Sequence, residues 1–345
     1  MAAPGRHNAA VKPKLHEVAK IAEVSEATVS RVLNLRPGVA EETRRRVLDA
    51  LSRLGYHVGS ERARRSAVVG IITPELDNPI FPLFAQAIES KLARHGLLSV
   101  VGPATPTTAH ERDYLEHFSR IGASGVVVID GSYANRTIGY AAYESLLDDG
   151  LPVVLVNGIY FPCPVPAVTV DIAAAAQTAV RHLFSLGHRV IGCVTGQLDY
   201  SSSLDLASGY QSGLKREGLE FDERLLIETM FTVEGARSAT VELTRRGVTG
   251  IVAGSDLMAL GVVAAAESQG LRVPDGLSVV GFDGTPLLGM SNPALTTLRQ
   301  PVDRMAQTVA MMLLGQFNGD RPKAQVFEAE LIAGATTGAA PAMVH

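Results

Sequence analysis

Apolar residues near the start of the chain fall into two short helical registers. Val18, Ala19 and Ala22 form the first, and Val29, Val32 and Leu33 the second. The two registers lie almost back to back, and Ser25 stands at the start of the second, the position of a helix N-cap. After the turn Arg36-Pro37-Gly38 a third helix is predicted at about Glu41 to Leu54, with Val47, Leu48, Leu51 and Leu54 on one face. Glu41 and Glu42 complement the dipole of its first turn, and Gly55 supplies its stop. From Ala67 the texture changes. Strand-length apolar runs (68–72, 98–101, 125–129, 152–156, 190–194, 249–252, 278–282 and 326–331) alternate with helical patterns such as 81–95, 173–186 and 257–269. Such alternation predicts parallel sheets with helices on both faces, and the number of strands suits two sheets rather than one.

Composition sharpens this division. The chain has 345 residues, 46% of them hydrophobic, and a net charge of −4. Residues 1–66 carry 13 Lys+Arg against 7 Asp+Glu, a net of +6, while the remainder carries 18 against 28, a net of −10. A small basic head on an acidic body is the electrostatic footprint of a nucleic-acid-binding module. Cys163 and Cys193 stand outside any metal-like cluster and read as reduced thiols. No apolar run suits a signal peptide or a membrane span, so the expected compartment is the cytoplasm.

Two crossed helices can leave the outer face of the second free for a DNA groove. The block Val24-Ser25 with Ala27-Thr28-Val29-Ser30-Arg31-Val32-Leu33-Asn34, together with Val18-Ala19, Glu42-Thr43-Arg44 and Leu54-Gly55-Tyr56, resembles the headpiece of the lactose-repressor/galactose-repressor (LacI/GalR) family of bacterial regulators. The stretch Thr73-Pro74-Glu75-Leu76-Asp77-Asn78-Pro79-Ile80-Phe81-Pro82 and the arginine-rich linker resemble the actinobacterial maltose-operon branch. The resemblance implies an α/β protein: a three-helix helix-turn-helix headpiece followed by two doubly wound, periplasmic-binding-protein-like subdomains. The expected divisions are a tail at 1–13, the headpiece at 14–56, a basic linker at 57–66 and the body at 67–345. Within the body, one subdomain is expected at about 67–168 plus 299–325, and the other at 169–298 plus 326–338.

By motif position the base readers are Glu26, Ala27 and Arg31. Arg31 suits guanine O6 and N7, Ala27 a thymine methyl and Glu26 a cytosine amino group. Glu26 equally serves as a helix N-terminal charge, and Ala27 as a small helix former. His16, Ser25, Thr28, Ser30 and Asn34 suit phosphate contacts, which position the helix without reading sequence. Two departures stand out. Glu23 occupies the inter-helix turn where the family usually has Gly, and no Leu lies between Tyr56 and Val68 to wedge into a minor groove. Arg62, Arg64 and Arg65 fill that linker and suit phosphates or a narrow minor groove.

Ligands of doubly wound sheets bind outside the carboxyl ends of the strands. The residues following the predicted strands are Asp77-Asn78, Asp130, Asn157, Ser255-Asp256 and Asp283, a set suited to a polyhydroxylated ligand. Phe81, Phe282, Tyr160 and Phe161 are candidates for an apolar ring face. The resemblance aligns Asn157 and Asp283 with sugar-contacting positions, puts Ser255 where an Asn is usual, and puts Leu206, with Asp205 beside it, where an Arg is usual. The effector set is therefore Asp77, Asn78, Phe81, Asn157, Asp205, Ser255 and Asp283. Turn chemistry at Asp77-Asn78-Pro79 and Asp283-Gly284, and a helix cap at Asp256, are the plainer readings of the same residues.

No phosphate-binding loop, zinc-protease helix or nucleophile elbow occurs, so no enzyme, metal or cofactor is expected. The expected function is a homodimeric regulator, a repressor of carbohydrate-utilisation genes that a sugar such as maltose or a maltodextrin releases from a palindromic operator. A sugar-binding transport component and an effector-independent DNA-binding protein are the alternatives.

Overall fold

The computed structural model describes residues 15–33, 39–54, 66–104 and 110–341. The predicted tail at 1–13, Asn34 and the linker arginines Arg62, Arg64 and Arg65 lie outside these residues. The chain divides into two compact units, 1–66 and 67–345.

In the first unit, α1 (Leu15–Ala22), α2 (Glu26–Leu33) and α3 (Glu41–Arg53) enclose one small core. Val18, Ala19 and Ala22 meet Val29 and Val32 of α2 and Val47, Ala50 and Leu51 of α3. All but Ala50 are among the residues whose spacing predicted the helices. The turn after α1 places Glu23 at φ 54, and the Val24 amide donates to the Ala19 carbonyl at 3.0 Å. This left-handed reversal normally falls to glycine.

The second unit holds two six-stranded sheets. The first contains β1 (Ser66–Thr73), β2 (Leu98–Pro103), β3 (Ala123–Ile129), β4 (Val153–Val156), β5 (Ala167–Val170) and β11 (Gln325–Phe327), in the order β11-β5-β4-β3-β1-β2. The second contains β6 (Ile191–Thr195), β7 (Leu226–Glu228), β8 (Gly250–Ala253), β9 (Ser278–Asp283), β10 (Thr296–Arg299) and β12 (Glu330–Ile332), in the order β12-β10-β9-β8-β6-β7. β12 runs antiparallel to β10, and the neighbouring β9–β10 and β8–β9 pairs are parallel.

All seven residues of β3 are buried, the mark of a strand covered on both faces. Val127 and Ile129 pack on one side against α4 (Ile80–Ala93) and α11 (Val302–Phe317). Val126 and Val128 pack on the other with Phe118 of α5 (His110–Arg120) and Tyr143 of α6 (Ala141–Asp148). The second sheet is built alike. Val252 and Val280 face α7 (Ile172–Ser185) and α8 (Ser201–Arg216), while Ile251 and Val279 face α9 (Val233–Arg245) and α10 (Asp256–Ser268).

The run 326–331, expected as one strand of the second subdomain, is instead two short strands in different sheets. β11 completes the first sheet, Glu328 and Ala329 carry the chain across, and β12 closes the second. The chain thus passes between the sheets three times: after β5, after β10 and between β11 and β12. Among the described residues no helix is long and apolar enough to cross a membrane.

Candidate functional site

In the headpiece, Ser25 is the N-cap of α2. Its Oγ accepts from the Thr28 amide at 3.1 Å and its carbonyl accepts from the Val29 amide at 3.0 Å. The cap fixes the phase of the helix. Val29 and Val32 turn inward, and Glu26, Ala27 and Arg31 stand exposed on the opposite side. An arginine, a methyl group and a carboxylate on one exposed face of a short helix are the three kinds of group that read base edges. Of the residues expected to position the helix, Ser25 and His16 are exposed, Thr28 and Ser30 half-buried. The Thr28 hydroxyl lies 2.9 Å from Ser25 Oγ, and His16 Nε2 lies 3.8 Å from a Glu17 carboxylate oxygen.

In the body a cavity of about 580 Å³ opens between the two sheets. Its wall is built from loops that follow β1, β3, β4, β6, β7, β8 and β9, the carboxyl ends at which doubly wound sheets take ligands. Three wall residues other than glycine adopt positive φ: Asp130 (41°), Asn157 (57°) and Asp283 (123°). Such conformations cost about 1–3 kcal/mol each and gather where function requires a particular side-chain direction. Gly158, at φ 59, admits the crowded turn; a Cβ there would lie 2.6 Å from Ala134 Cβ and 2.8 Å from Asp130 Oδ1.

Gln300 ties the two lobes together at the cavity floor. Its Oε1 accepts from Asn157 Nδ2 at 3.0 Å, and its Nε2 donates to Asp283 Oδ1 at 3.0 Å. The other oxygens of this chain, Asn157 Oδ1 and Asp283 Oδ2, are buried and have no protein partner. An unsatisfied buried polar atom costs about 1–3 kcal/mol, so these two oxygens in the cavity wall mark where a ligand's hydrogen-bonding groups belong.

The carboxyl groups here are hard to ionise. Burial, and then the charge of Asp256, raises Asp283 well above the usual carboxylate range. Burial, and then Glu75, pushes Asp130 up to about 7. Burial raises Asp256 to about 6, against the opposing hydrogen bonds from Thr297 and the Thr285 amide.

Of the expected effector residues, Asp77, Asn78, Phe81, Asn157, Ser255 and Asp283 line the cavity. Asp205 does not, and this is a correction. Leu206 occupies the wall, and a neighbour on the same helix points about 100° away. Asp205 is half-buried outside the wall, where burial and then the charge of Asp171 raise it to about 6. The α10 cap is likewise reassigned: Ser255 Oγ accepts from the Met258 amide at 3.1 Å, while Asp256 lies inside the helix, buried. Asn78 serves the turn as well, its Oδ1 accepting from the Ile80 amide at 3.4 Å. Phe282 lines the cavity, but Tyr160 stacks on Tyr140 and Phe161 points to solvent, 60% exposed.

Sequence reasoning passed over Glu75, Gln197, Tyr200, Phe231 and Gln300. Phe231 had a usable signal: it seats its ring over Gly196, where any Cβ would collide with it, and both residues lie just past strand ends.

With this geometry in hand, the comparisons with known proteins agree. A family model for bacterial regulatory proteins of the lacI family matches residues 14–58, and one for a periplasmic binding protein-like domain matches 180–337. The transcriptional regulator MalR of Streptomyces coelicolor is 40% identical over 337 residues, 95% of this chain and 97% of its own length. Among solved structures, the complex of the transcriptional regulator CelR with cellobiose superposes with a TM-score of 0.70 at 26% identity, covering 94% of this chain and all of that one. The lac repressor dimer bound to operator and an anti-inducer gives 0.71 at 25%, covering 95% and 99%. A capped recognition helix with an exposed polar face, and a ligand cavity between two doubly wound lobes, thus occur in a chain similar along nearly its whole length to known helix-turn-helix regulators, and the protein belongs to the LacI family of bacterial transcriptional regulators.

Proposed function

We propose that the protein is a cytoplasmic homodimeric repressor of carbohydrate-utilisation genes, released from a two-fold symmetric operator by a neutral sugar bound between the lobes. The observation that carries the sugar reading is the pair of buried, unpartnered oxygens Asn157 Oδ1 and Asp283 Oδ2 in the cavity wall. Hydroxyl groups both donate and accept and so suit either oxygen, and Phe81, Phe231 and Phe282 offer apolar ring surface to the faces of a pyranose. The cellobiose bound to the CelR complex is a precedent for a disaccharide in this fold. Maltose or a maltodextrin is the first candidate, in keeping with the similarity to MalR.

In the headpiece, Arg31, Ala27 and Glu26 read bases and His16, Ser25, Thr28 and Ser30 contact phosphates, joined by Asn34 and by Arg62, Arg64 and Arg65 of the linker. Two copies are needed to read two half-sites. The edge strand β2 supports self-association: Leu98, Val100 and Val101 lie exposed beside its unpaired backbone. Ligand binding and operator binding are then linked through one coupling free energy, of about 1–3 kcal/mol.

The test is operator release. A duplex selected from random sequence is bound by the purified protein, and sugars are titrated while fluorescence anisotropy is followed. A palindromic consensus released by maltose or another neutral sugar supports the proposal. A consensus without two-fold symmetry, or an operator complex indifferent to every sugar, overturns it.

A further inference from the structure

The charge of the cavity wall narrows the ligand further. Five carboxyl groups face the cavity, those of Glu75, Asp77, Asp130, Glu234 and Asp283, and its described wall contains no Lys, Arg or His. Leu206 and Ser255 add an apolar and a small uncharged side chain to that wall. Asn157, 5% exposed, presents an amide oxygen without a partner, which requires hydrogen on the ligand. A phosphate or carboxylate group brings charged acceptors and no hydrogen. It would face Asn157 Oδ1 as acceptor against acceptor.

One feature of the fold opposes this reading. Several helices begin at the cavity, and helix N-termini attract anions. Three of those ends are occupied by the chain itself, whereas the N-caps of α4, α8 and α11 make no side-chain cap hydrogen bond. Asp171 caps α7 through the Ala174 amide, Thr232 caps α9 through the Gly235 amide, and Ser255 caps α10. Asp256 adds a carboxyl to the first turn of α10 and accepts from the Thr285 amide. At α7, α9 and α10 the dipoles are thus met by protein acceptors before any ligand arrives, and at the other ends the wall carboxyl groups oppose an anion.

We propose that the interlobe cavity admits only ligands without negative charge, an unphosphorylated and non-acidic saccharide in the reading above, and excludes sugar phosphates and sugar acids. The inference rests on the sugar reading only for the word saccharide; the exclusion of anions follows from the wall itself. Burial holds Asp283 in its protonated form and pushes Asp130 up to about 7, so the repulsion rests on the other carboxyl groups of the wall, where no described residue supplies a positive charge. Like-charge juxtaposition of this kind costs several kilocalories per mole and is a recognised means of rejecting a wrong partner.

The experiment probes the charge of the cavity without needing its natural ligand. Ser202, in the wall, is replaced by cysteine (S202C) in the full-length chain, with Cys163, half-buried elsewhere, replaced by serine (C163S). Rates of modification by a positively and a negatively charged methanethiosulfonate are compared with those of free cysteine. The positive reagent is expected to gain at least about tenfold over the negative one, relative to free cysteine, through focusing of the field in the cleft. Combining the S202C chain with Asp77→Asn and Glu234→Gln is expected to remove most of that gain. A ratio equal to that of free cysteine, or favouring the anion, overturns the proposal.

In parallel, glucose, maltose, cellobiose, glucose 6-phosphate and gluconate are titrated calorimetrically. Binding of either anion within about 100-fold of the best neutral sugar also overturns it. Failure of every neutral sugar, with a reagent ratio favouring the cation, defeats the sugar reading and leaves the charge selection standing.

Discussion

Gln300 Nε2 donates to Asp283 Oδ1 at 3.0 Å, from the last residue before α11 but one to the last residue of β9. Because the same amide accepts from Asn157 across the cleft, Gln300 sets the spacing of the two unpartnered oxygens that await a ligand. Gln300→Leu keeps the volume and removes both bonds. It should weaken binding of whichever sugar releases the operator by about 10- to 100-fold, the value of one or two hydrogen bonds. Affinity for the operator alone should stay within about threefold. Calorimetry and anisotropy on the same preparation separate the two effects, and unchanged sugar affinity would remove Gln300 from the site.

Asp130 should make the protein lose stability as pH rises. Its folded value is pushed up to about 7 from 3.8, so between those values the folded state holds more proton than the unfolded state. By linkage the slope of unfolding free energy against pH is then negative, and stability falls from about pH 4 to pH 7. The full shift corresponds to about 4 kcal/mol, an upper bound given that the residue borders an open cavity. Urea denaturation at pH 5 and pH 8 should show that fall, and Asp130→Asn should flatten it. A variant with the same pH slope as the parent would clear Asp130 of the effect.

Arg31 is exposed on the outer face of α2, and its replacement by alanine leaves the headpiece core untouched. If it reads a guanine, Arg31→Ala costs about 1–3 kcal/mol on the preferred operator and relaxes preference at one position of each half-site. Uniform weakening across all sequences, with a shallower salt dependence, would instead make it a phosphate contact.

Glu23 sits at φ 54 in the turn between α1 and α2, a conformation that costs a residue with a side chain about 1–2 kcal/mol. Glycine removes that cost and returns part of it as unfolded-state entropy. Glu23→Gly should therefore stabilise the headpiece by about 0.5–1 kcal/mol. Chemical denaturation followed by a probe placed in α3 would show a higher midpoint; a lower one would mean that the Glu23 side chain contributes to the turn.

The headpiece was legible because each helix buries a face at regular spacing, and the same residues form the core. Strands β3 and β4 were legible as unbroken apolar runs, since both faces of their sheet are covered. β5, β7 and β10 escaped because polar residues interrupt runs of only three or four, in Ala-Val-Thr-Val, Leu-Ile-Glu and Thr-Thr-Leu-Arg. The split of 326–331 escaped for a related reason. Its division depends on which sheet has an open edge, a property of the assembled layers. Within the site, strand ends revealed Asn157 and Asp283. Gln300 follows a strand too short to be seen, and its role exists only once both lobes are in place. Asp205 was misjudged by one residue of helical phase, which motif position alone does not resolve.

The three crossings between the sheets bear on how such a protein can be divided. β11 lies near the end of the sequence yet finishes the sheet begun by β1, after every other strand of the second sheet except β12 has been made. No single cut liberates either lobe whole: a fragment ending before residue 325 leaves both sheets one member short. On the ribosome, the earlier lobe cannot finish its sheet until almost the entire body has been synthesised, so sensor and hinge mature together.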